Sequence, residues 1–201
     1  MKLKMLSMAL VLISPLVSAK WLNTDNTDEI TGRRTVSSFS YKYQQDESIG
    51  VRCDVSGNST DALLTFNVDN ALGIPNTEVD MFVKVDDNQP IQFRGRLYSN
   101  SYRSGFVRLN KETESAINKL LAQMIAGNKA FVKVQNDRRS EINDYSVSLS
   151  GFTASSKKAI STCALNPKAV EMSNDDKARL DEINKTILKL NSEKRSILAK
   201  Y

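Results

Sequence analysis

No histidine occurs anywhere in this chain. Its absence removes the side chain most often used as a general base near neutral pH, and with it the commonest metal ligand. A Ser-His-Asp mechanism is therefore excluded, and Ser104, like every other serine, lacks an imidazole to activate it. Cysteine is almost as scarce, with Cys53 and Cys163 the whole complement. Long apolar runs are missing too. The most apolar stretch, Met5 to Val17, is interrupted by Pro15 and falls short of the roughly 20 residues that span a bilayer. Positive charge is in slight excess, 28 Lys and Arg against 23 Asp and Glu for a net +5, and it is spread along the chain. A dedicated nucleic-acid binder would gather such charge on one face or helix, so no nucleic-acid partner is expected.

What is present begins with the N-terminus. Lys2 and Lys4 supply a positive start, the uncharged run follows, and Val17-Ser18-Ala19 offers small residues at the cleavage positions. Those are the three parts of a secretory signal peptide. Residues 1–19 are read as a cleaved leader, and no cysteine follows Ala19, so neither a lipid anchor nor a stable membrane anchor is expected. The mature product is expected in the periplasm. Loss of Lys2 and Lys4 lowers the formal charge from +5 to +3, and removing 19 of 201 residues leaves 182. That length fits one domain of about 100 to 150 residues plus an appendage: a β-rich domain over residues 20–165 and an amphipathic helix over residues 166–201. Export also decides the reading of the two cysteines, since a lone pair of thiols in an oxidising compartment is most simply a disulfide. Paired in this way, Cys53 and Cys163 cannot act as nucleophiles. No catalytic residue, metal site or cofactor is expected.

Alternation of apolar and polar residues, the period of a strand with one buried face, recurs through the first half. Phe39, Tyr41 and Tyr43 form the first such face, and Ile49, Val51, Cys53 and Val55 the second, with Arg52 and Asp54 on the reverse. Leu64, Phe66 and Val68 follow, then Val79, Met81, Val83 and Val85, then Ile91, Phe93 and Leu97, and a short strand around Phe106 to Leu109. The period then changes. Ile117, Leu120, Leu121, Met124 and Ile125 fall on one face of a helix, with Asn110 or Thr113 as its cap and Gly127 as its stop. Two more strands carry Ala130, Val132 and Val134, and Tyr145, Val147 and Leu149. A short helix from Ala154 to Ala164 brings Cys163 to the sheet. The expected fold is α+β: mainly antiparallel β in a sandwich-like sheet, with one or two packed helices and a C-terminal helical extension. In that extension, Ser173 and Asp176 open a helix whose Leu180, Ile183, Ile187, Leu190 and Ile197 follow a heptad. Docking on its own domain and self-association or a partner helix are equally compatible with this stripe.

Several of these residues occur in a familiar order. Trp21 opens the mature chain, Asp28-Glu29-Ile30-Thr31-Gly32 and an aromatic strand follow, then Val51-Arg52-Cys53, and finally Gly151-Phe152 ahead of Thr162-Cys163. The order resembles the periplasmic accessory proteins of type VI secretion (VasI/TagO-like), and similar exported proteins carried by bacterial and phage genomes, over Trp21 to Leu165. The resemblance implies a compact exported β-rich domain without known catalytic machinery. The extension from Asn166 to Tyr201 departs from the pattern.

The candidate binding residues are Arg94, Arg96, Arg103 and Arg108, with Tyr98 and Tyr102 interleaved. Such a face suits an acidic protein, an anionic glycan or lipid headgroups, and it is equally what a solvated strand face contains. Asp80, Asp86 and Asp87 fit ordinary turn chemistry better than a calcium loop or a carboxylate pair. The chain is thus expected to be a non-enzymatic exported protein that binds another envelope or secretion-system protein, with a periplasmic inhibitor or phage superinfection-exclusion factor as the alternative. Expressed with its own N-terminus, it should be recovered from the periplasmic fraction starting at Lys20. Terminal sequencing that finds an intact Met1 in the membrane fraction would contradict the cleaved leader.

Overall fold

The computed structural model describes residues 20–41, 46–167, 174–198 and 200. The expected leader, Tyr43 and Ser173 lie outside these, as do the side chains of Asp176 and Leu180. Two compact units divide the chain between Pro167 and Lys168. The first holds nine strands: β1 (Lys20–Thr27), β2 (Arg34–Tyr41), β3 (Ser48–Ser56), β4 (Ser59–Asn67), β5 (Glu78–Val85), β6 (Ile91–Leu97), β7 (Ser104–Arg108), β8 (Lys129–Asn136) and β9 (Ile142–Ser148). It also holds α1 (Glu114–Ala126) and α2 (Phe152–Thr162), while the second unit holds α3 (Asn174–Leu198).

All neighbours pair antiparallel in one sheet ordered β1-β2-β3-β4-β7-β6-β5-β8-β9. The fold is therefore α+β as expected, and its sandwich-like character comes from one sheet curling over itself. Laid flat, nine strands about 4.8 Å apart would put β1 roughly 38 Å from β9. Instead, the Trp21 indole N–H on β1 donates to the Ser148 carbonyl at 2.8 Å, and the Tyr145 hydroxyl on β9 donates to the Ser48 carbonyl at 2.6 Å. Alternate residues of every strand enter the concave side, so Val51, Cys53, Leu64, Phe66, Met81, Val83 and Leu97 are almost wholly buried there. Helix α1 adds Ile117, Leu120, Leu121 and Met124 to this core; Ile125 sits at its margin, 37% exposed. Helix α1 ends at Gly127, where the backbone becomes extended (φ −95°), and glycine is needed there for space, since a Cβ would lie 2.4 Å from Val85 Cγ1.

Two local expectations are corrected. Residues Lys20–Thr27, polar apart from Trp21 and Leu22, form a full strand against β2. Trp21 anchors this strand, buried edge-on against Phe152 with ring centroids 4.7 Å apart. On β2 the buried residues are Val36, Ser38 and Ser40, while Phe39 and Tyr41 face outward. The reason is α2, which packs over β1, β2 and β3 and accepts only small side chains beneath it. Ser38 hydroxyl bonds Ser155 hydroxyl at 2.8 Å, and Ser40 Oγ accepts the Ile49 N–H at 3.1 Å.

Cys53 and Cys163 form the expected disulfide, joining β3 to the end of α2 across a sequence separation of 110. Closing so long a loop stabilises the fold by about 4 to 5 kcal/mol in the chain-entropy model. Urea unfolding of the mature chain with and without reductant should show a loss of this order. Identical midpoints would show that the packing alone holds α2.

Candidate binding face

The same alternation that fills the concave side sends the other half of each strand outward. Across neighbouring strands β2, β3, β4 and β7, one outward row reads Thr35, Asp54, Asp61 and the next Ser37, Arg52, Leu63, Arg108. Asp54 is nearly buried here, its side chain 5% exposed. It accepts hydrogen bonds from Arg33 Nη2 at 2.6 Å, Thr35 Oγ1 at 2.7 Å and Arg52 Nε at 2.9 Å. Burial opposes its ionisation, but the bonds from Arg52 and Thr35 and the charge of Arg52 outweigh it and hold the carboxyl below the usual range. Arg52 also reaches Tyr98, whose hydroxyl is pushed above its ordinary value by burial.

Farther along the outer face, Arg94 binds three carboxylates: Asp137 at 2.6 Å, Asp80 at 3.0 Å and Glu78 at 3.2 Å. Hydrogen bonds to Asp80 and then Asp137 raise its already high pKa. Arg96 meets Glu78 at 3.3 Å, and Arg108 meets Asp61 at 3.2 Å. Arg94, Arg96 and Arg108 line a groove of about 380 Å³ together with Phe106, Glu78 and Glu112. Phe106 forms its aromatic part: the Arg108 guanidinium lies 5.8 Å from its ring centroid, and Tyr98 packs on it at 5.0 Å. Tyr102 and Arg103 do not line this groove. They occupy the β6–β7 turn, where Arg103 pairs with Asp46 at 3.3 Å and Tyr102 is exposed.

Asp86 turns back on its own domain, accepting the N–H groups of Asn128 at 2.9 Å and Lys129 at 3.0 Å. Among the described residues, no group of three His, Cys, Asp or Glu side chains is arranged to hold a metal ion. No described helix is long and apolar enough to cross a membrane. In α3, described by itself, Ile183, Ile187, Leu190 and Ile197 are all exposed.

A second concavity was not anticipated from the sequence: a cleft of about 570 Å³ with Phe82, Pro90 and Phe131 among its walls. The available signal was Phe131 itself, which the period of two places opposite Ala130 and Val132 and hence outward. No family model matches the chain, and no curated protein or solved structure matches it.

Asp54 gives the outer face a measurable dependence. Its folded pKa is depressed, so its contribution is complete above the unfolded value of about 3.9 and is lost as pH falls through the folded value. Replacing it (Asp54→Ala) strands Arg52, which is 32% exposed. The substitution should cost about 3 kcal/mol at neutral pH and flatten the acid limb of the stability profile. An unchanged acid limb would show that Asp54 is not the titrating group.

Proposed function

We propose that this chain is an exported, non-enzymatic protein that binds another protein of the cell envelope, as an accessory factor of a secretion system does. The observation that carries the reading is the state of Arg96 and Arg108. Each guanidinium is more than half exposed and engages one carboxylate at 3.2 to 3.3 Å. Of five N–H donors per guanidinium, most are left for a partner. Their orientation is nevertheless set, by Glu78 for Arg96 and by Asp61 and the Phe106 ring for Arg108. Pre-set arginines beside aromatic rings are the residue types that dominate protein–protein binding energy. The Cys53–Cys163 disulfide supports an oxidising compartment as the working place, and the exposed apolar positions of α3 support a second contact.

A photo-crosslinking residue in place of Arg96, introduced into the full chain and irradiated in intact cells, tests this reading. It should yield an adduct with an envelope protein. The same adduct, captured from position 98, should be lost in the double variant Arg96→Glu, Arg108→Glu. No adduct from either position in a folded, disulfide-bonded product would refute binding through the groove.

A further inference from the structure

A curled sheet that does not close into a continuous ladder leaves two edges, here β1 and β9. At β1, helix α2 packs alongside and Lys158 pairs with Asp25. The other edge is different, and its hydrogen bonds show which backbone groups are free. Asn136 N–H donates to the Glu141 carbonyl at 3.2 Å, and Leu149 N–H to the Asn128 carbonyl at 2.8 Å. Both pairs share the register that sets Ala130 against Val147, Val132 against Tyr145 and Val134 against Asn143. Because an antiparallel ladder alternates bonded and non-bonded pairs, Asn143, Tyr145 and Val147 turn their N–H and C=O groups toward β8. Ile142, Asp144, Ser146 and Ser148 turn theirs away. The Ser148 carbonyl is taken by the Trp21 indole. Among the described residues, no hydrogen bond of the turns, loops or side chains uses the backbone of Ile142, Asp144 or Ser146, and all three residues are exposed.

The free edge is therefore three donor–acceptor positions long and ends at Trp21. Natural edges are commonly blunted by proline, a bulge or an outward lysine. Strand β9, Ile-Asn-Asp-Tyr-Ser-Val-Ser, has neither proline nor lysine and pairs with β8 without a break in register.

The outer rows next to this edge define what an added strand would meet. Ser146 continues the row of Phe131 and Lys84, Asp144 that of Lys133 and Phe82, and Ile142 that of Gln135 and Asp80. Phe131 is 44% exposed in the cleft it shares with Phe82 and Pro90, and the Lys129 ammonium sits 4.7 Å from its ring centroid. A large apolar side chain placed opposite Ser146 reaches over the small serine onto Phe131. No ion pair among the described residues uses the Asp144 carboxylate, so a cation placed opposite it gains a partner and a carboxylate is repelled. Opposite Ile142, 47% exposed, an apolar side chain fits.

We propose that the open edge of β9 accepts an extended segment of a partner protein with the pattern apolar, any residue, lysine or arginine, any residue, apolar. Backbone hydrogen bonds to Ile142, Asp144 and Ser146 supply affinity, and the Phe82–Phe131 cleft with Asp144 supplies selection. The site is separate from the arginine groove and does not depend on it.

The test uses the mature, disulfide-bonded chain labelled with ¹⁵N and two synthetic peptides, Ser-Leu-Thr-Lys-Thr-Phe-Ser and its counterpart with glutamate for lysine. The matching peptide should slow amide exchange at Asp144 and Ser146. The glutamate peptide should bind about 10-fold more weakly. Ser146→Pro removes an N–H that faces away from β8, so it should leave near-ultraviolet circular dichroism unchanged and abolish protection. Exchange unaffected by millimolar matching peptide would overturn the proposal, as would equal binding by the Ser146→Pro chain. Protection of the same amides that grows with protein concentration alone would also overturn it, because the occupant would then be a second copy.

Discussion

Helix α2 brings little apolar surface to the sheet it covers. Of its buried residues only Phe152 and Ala159 are hydrophobic, while Ser155 and Ser156 are not, and beneath them β2 presents Ser38 and Ser40. The Ser156 hydroxyl is buried without a partner among the described residues, which costs stability. What holds α2 in place is therefore concentrated at its ends. Phe152 meets Trp21 at one, and Cys163 is bonded to Cys53 at the other. The curl of the sheet depends on the first of these points, since Trp21 also reaches the Ser148 carbonyl on β9, and on the bond from the Tyr145 hydroxyl to the Ser48 carbonyl. A covalent clamp acting through the unfolded state supplies what serine-rich packing cannot.

With the concave side occupied by α1, α2 and the core, the outer face is what the sheet presents to solvent, and its charges are arranged as compensated sets. Arg33 and Arg52 converge on Asp54, and Arg94 gathers Glu78, Asp80 and Asp137. The nearly buried Asp54 set contributes stability, whereas the exposed pairs around Arg94 add little singly, so their main effect is geometric. Glu78 joins Arg94 to Arg96, so a network of fixed guanidinium planes lies beside Phe106. The sets also limit electrostatic repulsion among arginines lying close together on the outer face.

How much of this was legible in the sequence depended on whether a local period carried the information. The strands around Cys53, Met81 and Val132, the α1 stripe and the disulfide all follow from spacing or from cysteine arithmetic. Strand β1 did not, because its residues are mostly polar and its extended form is imposed by pairing with β2. On β2 the aromatic residues suggested the wrong face; the requirement for small side chains under α2 is tertiary and leaves no mark on the period. The outward placement of Arg94 and Arg96 was readable. Their partners were not: Asp137 sits in the β8–β9 turn, and it is the register of β5 against both β6 and β8 that brings it to Arg94. Tyr102 and Arg103 were grouped with the groove by sequence proximity alone, and the turn after β6 carries them elsewhere.

Arg94 stands between the two proposed outer-face sites. Its partner Asp80 lies in the row that runs through Gln135 to Ile142, at the open edge of β9, while its other partner Glu78 belongs to the arginine groove. A segment added along β9 would lie three strand spacings, about 14 Å, from Asp80, so the two proposed sites stay separate. The chemistry on either side differs in kind. In the groove, as proposed, selection would come from long charged side chains, which salt screens. At the edge, as proposed, affinity would come from backbone groups fixed by the ladder, which salt barely affects, and only the choice made at Asp144 would be ionic. Raising ionic strength should consequently separate the two proposed contacts, weakening one at Arg96 and Arg108 more than the backbone pairing along Ile142, Asp144 and Ser146.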